Sequence, residues 1–443
     1  MKEISILVGG KAGDGIRQAG NVIARLFNRI GYRIFFYDDY PSLIRGGHNF
    51  SIIRAAERRI IAHKETVDVI VALNQDTIEK HLHRLNAGGT ILYDSKKSTT
   101  EGVGIDFMGI VNLFNGKPIM RNTAAIGSLA GVLGIPWPVL EKVISDTVEK
   151  EIELNVQIAR HAYDQIDSPH KSVPKLEQPP LPLITGNEAI VLGAVKAGLN
   201  MYIAYPMTPA SSILHYLAAN ENELGVVTVH PESEIGGALI LLGAAYTGAR
   251  AMIGTSGGGF ALMTEALSLA GQGELPMVII EVQRPGPGTG VPTYTMQADL
   301  DFVVHAGHGE ITRVVLAPGD AEEAIYMSGM AMNLAWKFQI PAFVLSDKHL
   351  SESIFSFEGD LDKVTPEEAL LWNKEGEYKR YADKKYGISP MAFPGNPSAI
   401  VKATSYEHDE NGIATEEPKA ISRMQSKRLR KRKYLENELL IRS

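Results

Sequence analysis

Cysteine is missing from all 443 positions. That excludes disulfides, and it excludes an iron–sulfur cluster held by this chain's own thiolates, since such clusters take about four cysteine ligands. Any one-electron chemistry is expected on another subunit. Net positive charge is missing too: 51 acidic against 44 basic residues give −7, which offers nucleic acid or an anionic membrane no overall attraction. No apolar run reaches the roughly 20 residues of a membrane-spanning helix. The longest lies near Gly236 to Ala245, with Arg250 close behind. The N-terminal run Ile4-Ser-Ile-Leu-Val-Gly-Gly is too short for a signal peptide and is broken by glycines. These absences predict a cytoplasmic protein with no membrane span and no nucleic-acid partner.

What is present is ordinary for a globular chain: 44% hydrophobic and 21% charged residues, with length for two or three domains at roughly 150 residues each. Residues 3–8 form a short apolar run and 9–15 a glycine-rich turn. Ile16, Ala19, Val22, Ile23, Leu26 and Phe27 then recur at helical spacing. Further strand-like runs at 32–37, 49–54, 67–73 and 88–93 alternate with helical patterns, predicting an α/β domain over 1–170. Five prolines between 168 and 185 prevent helix and central strand, so 171–183 reads as an extended linker. Beyond it, Asn187 is expected to cap a helix, and strands at 201–205, 226–230, 250–255, 277–283, 312–317 and 342–346 predict a second, doubly wound α/β domain over 184–355. Periodicity fades over 356–443, which reads as a loop-rich extension ending in the basic run Lys427-Arg-Leu-Arg-Lys-Arg-Lys433.

Four polar clusters of the second domain stand where strand-like runs end, and the carboxyl ends of strands are where ligands bind in open α/β sheets. They are Tyr205-Pro-Met-Thr-Pro-Ala-Ser-Ser212, Glu232-Ser-Glu-Ile-Gly236, Thr255-Ser-Gly-Gly-Gly259 and Gln283-Arg-Pro-Gly-Pro-Gly-Thr-Gly290. Thr208, between Pro206 and Pro209, is either a hydroxyl aimed at a ligand beside free helix amides or part of a capped proline turn. Glu234 suits a first helical turn on dipole grounds alone, yet Gly236, Gly237 and Gly243 in the same apolar helix suggest close approach of backbone or ligand. Ser256 and Gly257 belong to a strand-to-helix turn that could cradle phosphate, although the turn lacks the lysine of a P-loop. Arg284, on a rigid Pro/Gly turn, suits bidentate recognition of a carboxylate, against the plain alternative of a surface arginine. Arg45-Gly-Gly-His-Asn49 reads equally as an anion or subunit contact and as a tight hairpin. Glu407-His-Asp-Glu410 reads as a solvated loop, not a metal site, and the basic run as a charged helical linker.

The order of the Tyr-Pro-Met-Thr-Pro, Glu-Ser-Glu, Thr-Ser-Gly-Gly-Gly-Phe-Ala-Leu-Met-Thr-Glu and Gln-Arg-Pro-Gly-Pro-Gly-Thr-Gly motifs resembles the α subunit of 2-oxoacid:ferredoxin oxidoreductases, most of all the 2-oxoglutarate type (2-oxoglutarate synthase). Gly-Gly-Lys-Ala-Gly-Asp-Gly and Ile-Arg-Gly-Gly-His, within 1–170, resemble the γ subunit, fused ahead of the α domain. Asp347-Lys-His-Leu-Ser-Glu-Ser, Gly387-Ile-Ser-Pro and Glu407-His-Asp-Glu-Asn-Gly match as well. The resemblance implies a γ-type α/β domain followed by a thiamine-diphosphate-binding, pyrimidine-type domain. The implied reaction is CoA-dependent oxidative decarboxylation of a 2-oxoacid, with electrons passed singly to ferredoxin. It assigns Glu234 to the aminopyrimidine N1′ of the cofactor, Thr208 to cofactor and substrate, and Arg284 to the substrate carboxylate; Pro206, Ser256 and Gly257 would join the cofactor site.

Enzymes of this type anchor Mg²⁺ and diphosphate through Gly-Asp-Gly with an asparagine about 25 residues on. Here the single Gly-Asp-Gly, at 13–15, stands in the γ-like domain with no such asparagine. A β partner carrying the diphosphate site, Mg²⁺ and an iron–sulfur cluster is therefore expected, in an αβ heterodimer or a heterotetramer. Family α subunits usually continue into another α/β domain, expected here as a truncated or separate piece. The alternatives are the same chemistry on pyruvate or a branched-chain 2-oxoacid, or a non-catalytic subunit binding CoA or a nucleotide.

Overall fold

The computed structural model describes residues 3–41, 47–373 and 376–442. The chain divides into two compact units, Met1–Thr185 with Glu352–Glu358, and Gly186–Ser351 with Gly359–Ser443.

The first unit runs β1 (Glu3–Lys11), α1 (Ile16–Arg29), β2 (Arg33–Asp39), β3 (His48–Ala56), β4 (Val67–Ala72), α2 (Gln75–His81), β5 (Leu85–Asp94), β6 (Val103–Ile105), α3 (Phe107–Leu113), α4 (Arg121–Val132), α5 (Trp137–Thr147), α6 (Ile152–Tyr163) and β7 (Leu183–Thr185). The stripe Ile16, Ala19, Val22, Ile23, Leu26 and Phe27 is buried against the sheet together with apolar residues of α3 to α6, as helical spacing demands. The proline-rich stretch after α6 is strapped along this unit: Asn28 Nδ2 donates to Leu181 O at 2.8 Å, Tyr32 Oη to Pro174 O at 3.1 Å and Arg33 Nη1 to Pro179 O at 3.2 Å.

The second unit contains α7 (Gly186–Lys196), β8 (Met201–Ile203), α8 (Ser211–Ala219), α9 (Glu221–Leu224), β9 (Val227–Val229), α10 (Glu234–Tyr246), β10 (Ala251–Thr255), α11 (Gly257–Leu262), α12 (Thr264–Gly273), β11 (Met277–Gln283), α13 (Leu300–His305), β12 (Val314–Leu316), α14 (Ala321–Phe338), β13 (Pro341–Asp347) and α15 (Lys348–Glu352). Its six strands are ordered β12-β13-β11-β10-β8-β9 and every pairing is parallel. Buried faces of α10 to α13 cover one side of the sheet, while α7, α8 and α14 pack together. Asn187 does not cap α7 as expected. The helix begins one residue earlier, and Asn187 Nδ2 instead donates to Pro209 O at 2.9 Å and Ser212 Oγ at 2.7 Å, tying α7 to the turn after β8.

A last strand, β14 (Ile354–Ser356), pairs antiparallel with both β2 and β7 and so belongs to the first sheet, ordered β6-β5-β4-β1-β3-β2-β14-β7. A three-residue strand that enters 169 residues after Thr185 carries no sequence signal of its own. The chain ends in α16 (Pro418–Arg442).

Candidate functional site

After β8 the chain moves to β9 on one side, then passes back to β10 on the other. The carboxyl ends of β8 and β10 are therefore a topological switch point, where an open parallel sheet leaves a crevice. Tyr205 to Pro209 leave β8, and Ser256 to Gly259 leave β10, at that crevice. Arg284 leaves β11 one strand further on.

Glu234 is the first residue of α10, capped by Ser233, whose Oγ accepts from Gly236 N at 3.3 Å. It is 4% exposed, and no hydrogen bond reaches its Oε1. An unpaired buried carboxylate oxygen costs free energy unless something fills the place of a donor. The turn after β10 comes very close: a Cβ at Gly259 would collide with Thr255 Oγ1 and stand 2.8 Å from Glu234 Oε1. Thr255 in turn contacts Met207 Sδ at 3.9 Å. The glycine turn after β10 thus closes on Glu234, and loop 205–209 meets the end of the same strand.

Arg284 Nη1 donates to Thr208 O at 2.6 Å, joining the β8 and β11 exits. Partial burial pulls the pKa of this guanidinium down. Ser256, fully buried, caps α11 through its backbone and has an Oγ without a partner. Gly257 lies against Asp299, whose Oδ2 stands 2.7 Å from where a Cβ would be. Pro206 is half-buried in the same turn. The predicted residues thus gather around one crevice. Sequence reasoning missed Glu281, a lone carboxyl inside the buried strand Met-Val-Ile-Ile-Glu-Val-Gln, whose signal was its charge in an apolar run.

Several sequence readings change. Glu407 to Glu410 are not a solvated loop: His408 is buried, its Nδ1 is 3.0 Å from Tyr406 O, and Glu407 pairs with Arg428. The basic run is helical, yet it is not simply a solvated linker, because Lys427 and Lys431 are buried on Glu274. Asp14 of Gly-Asp-Gly accepts from Lys11 N at 2.8 Å and pairs with Arg121. Arg45 and Gly46 of the Arg45–Asn49 motif lie outside the described residues, while His48 Nε2 meets His81 Nε2 at 2.8 Å. Among the described residues no three histidine, aspartate or glutamate side chains converge as a metal site, and no helix is long and apolar enough to cross a membrane.

Residues 192–427 match the family described as pyruvate flavodoxin/ferredoxin oxidoreductase, thiamine diphosphate-binding, and residues 5–165 match pyruvate ferredoxin/flavodoxin oxidoreductase. The α subunit of 2-oxoacid:ferredoxin oxidoreductase 2 from Aeropyrum pernix is 32% identical over 99% of this chain and 80% of its own length. This chain belongs to the 2-oxoacid:ferredoxin oxidoreductase α-subunit family. A 2-oxoglutarate synthase subunit KorA from Archaeoglobus fulgidus is 42% identical over 39% of the chain and 51% of its own length. The 2-oxoglutarate:ferredoxin oxidoreductase of Magnetococcus marinus, solved with 2-oxoglutarate, coenzyme A and succinyl-CoA bound, superposes with a TM-score of 0.91. It is 31% identical, over 99% of this chain and 80% of that one. The chain is thus an oxidoreductase subunit that carries both family segments, the thiamine-diphosphate-binding one following the other.

The crevice residues fit the pyrimidine side of that cofactor. Glu234 offers one unsatisfied oxygen from a buried position, and the glycines beside it leave room that a Cβ would fill.

Proposed function

We propose that this chain forms the pyrimidine and substrate-carboxylate half of an active site that converts 2-oxoglutarate and CoA to the acyl-CoA and CO₂, with two electrons passed one at a time to ferredoxin. The observation that carries this is Glu234, buried in the switch-point crevice with Oε1 unpartnered, with the Arg284–Thr208 contact on the neighbouring strand exits. Thiamine diphosphate, when bound, supplies the electron sink that decarboxylation of a 2-oxoacid requires. Glu234 holds and exchanges the proton at the pyrimidine N1′, a task that a buried carboxylate with one open oxygen can perform. Arg284 has committed Nη1 to Thr208 O, so the rest of its planar fork is oriented for the substrate carboxylate. Thr208, Pro206, Ser256 and Gly257 wall the cofactor.

A β partner supplies the diphosphate and Mg²⁺ site and the iron–sulfur cluster, in an αβ heterodimer or heterotetramer in the cytoplasm. Two features support a partner: the chain has no cysteine, and Ile235, Leu239 and Ile240 on α10 are exposed although Glu234 on the same helix is buried. Purified with its β partner, the protein should reduce ferredoxin or a viologen dye with 2-oxoglutarate only when CoA is present. Activity with pyruvate or a branched-chain 2-oxoacid alone would move the substrate assignment. No turnover with any 2-oxoacid would overturn the reading.

A further inference from the structure

Glu281 is 0% exposed in a central strand. It is in register with Thr255 on β10, beside the glycine turn that approaches Glu234, and with Leu345 on β13. No N–H or hydroxyl of the described residues reaches either carboxyl oxygen. What faces it is another acid: Asp299, just ahead of α13, is held against β11 by its backbone N on Gln283 Oε1 at 3.0 Å and lies against Gly257 of the turn that follows Thr255, and its side chain acts on Glu281 both as a charge and as a hydrogen-bonding partner. Two ionised carboxylates cannot share such a place without a cation, whereas one proton between them turns repulsion into a short, charge-assisted hydrogen bond. Burial first, and then the Asp299 charge, holds the Glu281 carboxyl well above its usual range. Among the described residues no lysine, arginine or histidine pairs with either acid: Arg284, three residues along from Glu281, gives Nη1 to Thr208 O at 2.6 Å, and the next acid at this end of the sheet, Asp347, is held by Gln297 Nε2 at 2.6 Å and Leu350 N at 2.9 Å.

We propose that Glu281 is a neutral carboxylic acid that donates its proton to Asp299, and that this clasp, together with Gln283, closes the base of the Pro/Gly-rich loop 284–298 and so positions Arg284. The loop starts at Arg284 and returns at Asp299, whose backbone N donates to Gln283 Oε1 at 3.0 Å. Gln283 Nε2 is itself fixed on Ser346 O at 3.1 Å. Asp299 is thereby held at its backbone by Gln283 and at its side chain by Glu281, with Gly257 against its Oδ2. One proton ties β11, the start of α13 and the glycine turn after β10 into a single frame. Glu281 is a positioning residue here: it touches neither substrate nor cofactor and acts through the loop. Its kinetic consequence rests on the reading of Arg284 as the substrate-carboxylate ligand, while its protonation state does not.

The test uses the assembled αβ enzyme. Infrared difference spectra of the resting protein at neutral pH should contain a protonated-carboxyl stretch that disappears in Glu281→Gln. In steady state, Glu281→Gln, which keeps a neutral hydrogen-bond donor of the same shape, should hold KM for 2-oxoglutarate within about threefold. Glu281→Leu, which leaves Asp299 without its donor, should raise KM on the order of tenfold or more while kcat falls less. The proposal is overturned if Glu281→Gln leaves the protonated-carboxyl band in place, or if Glu281→Gln is as impaired as Glu281→Leu. Should the leucine variant not fold, the band and the glutamine variant still decide. Parent enzyme that turned over no 2-oxoacid yet showed the band would refute the functional reading and leave the clasp standing.

Discussion

Replacing Glu274 by glutamine should cost the second unit much of its stability. Glu274 follows α12, is 1% exposed, and receives Lys427 Nζ at 2.6 and 2.7 Å and Lys431 Nζ at 2.6 Å. Its backbone O also accepts from Arg380 Nη2 at 2.7 Å. Glutamine keeps the volume, one side-chain acceptor and the backbone acceptor of Arg380, but leaves two buried ammonium groups without an anion. Breaking one buried pair typically costs about 3–5 kcal/mol, so the upper part of that range is expected where two lysines share the carboxylate. A unit of this size should then melt lower by roughly 10 °C. Denaturant titration followed by Trp336 and Trp372 fluorescence measures it. The pH dependence supplies an independent sign. Neighbouring cations hold the Glu274 carboxyl far below its usual range, so its contribution is complete at neutral pH and fades as pH falls below the ordinary glutamate value. Burial lowers Lys431 to about 7; unfolding therefore takes up a proton above that pH, and stability rises between about 7 and the ordinary lysine value. In Glu274→Gln the lysines lose their anion, so the deficit should shrink as pH rises. A loss below about 1 kcal/mol, the worth of an exposed pair, would refute the picture of α16 held by buried charge.

Three further outcomes are expected. Gly259→Ala would push a methyl group into Thr255 Oγ1 and Glu234 Oε1; overpacking of about 1–3 kcal/mol should weaken thiamine diphosphate binding to the αβ enzyme at least tenfold by calorimetry. Arg284→Lys removes the planar fork, and KM for the 2-oxoacid should rise on the order of tenfold or more while kcat changes less. Glu substitution at both Ile235 and Leu239, exposed on α10, should abolish co-elution with the β partner in size-exclusion chromatography and leave the melting temperature of the isolated chain unchanged.

The second sheet was legible because a fully parallel sheet buries both faces, and its strands read as apolar runs ending in polar clusters. Thr208, Glu234 and Arg284 stood out for the same reason: they follow such runs at turns stiffened by proline or crowded with glycine. What the sequence did not disclose depends on distant partners. Lys427 and Lys431 look like any solvated basic run until Glu274, over 150 residues earlier, is seen to need them. His408 looked solvated until Tyr381, with ring centroids 3.9 Å apart, covered it. Glu281 was passed over although it is a charge in an apolar run, and its meaning required Asp299, which loop 284–298 brings back to β11. Local pattern reveals elements and strand exits; it does not reveal which buried charges meet.

The pairing of β14 between β2 and β7 has a consequence for any attempt to use the γ-like segment alone. Residues 1–170 cut from this chain would lose both outer strands and leave β2, with Ile34-Phe-Phe-Tyr37 at its centre, as a bare edge of unpaired backbone groups. Such an edge recruits strands from other molecules. A soluble stand-alone version would therefore have to bring back Leu183–Thr185 and Ile354–Ser356, joined by a short linker because Thr185 and Ile354 already lie opposite one another.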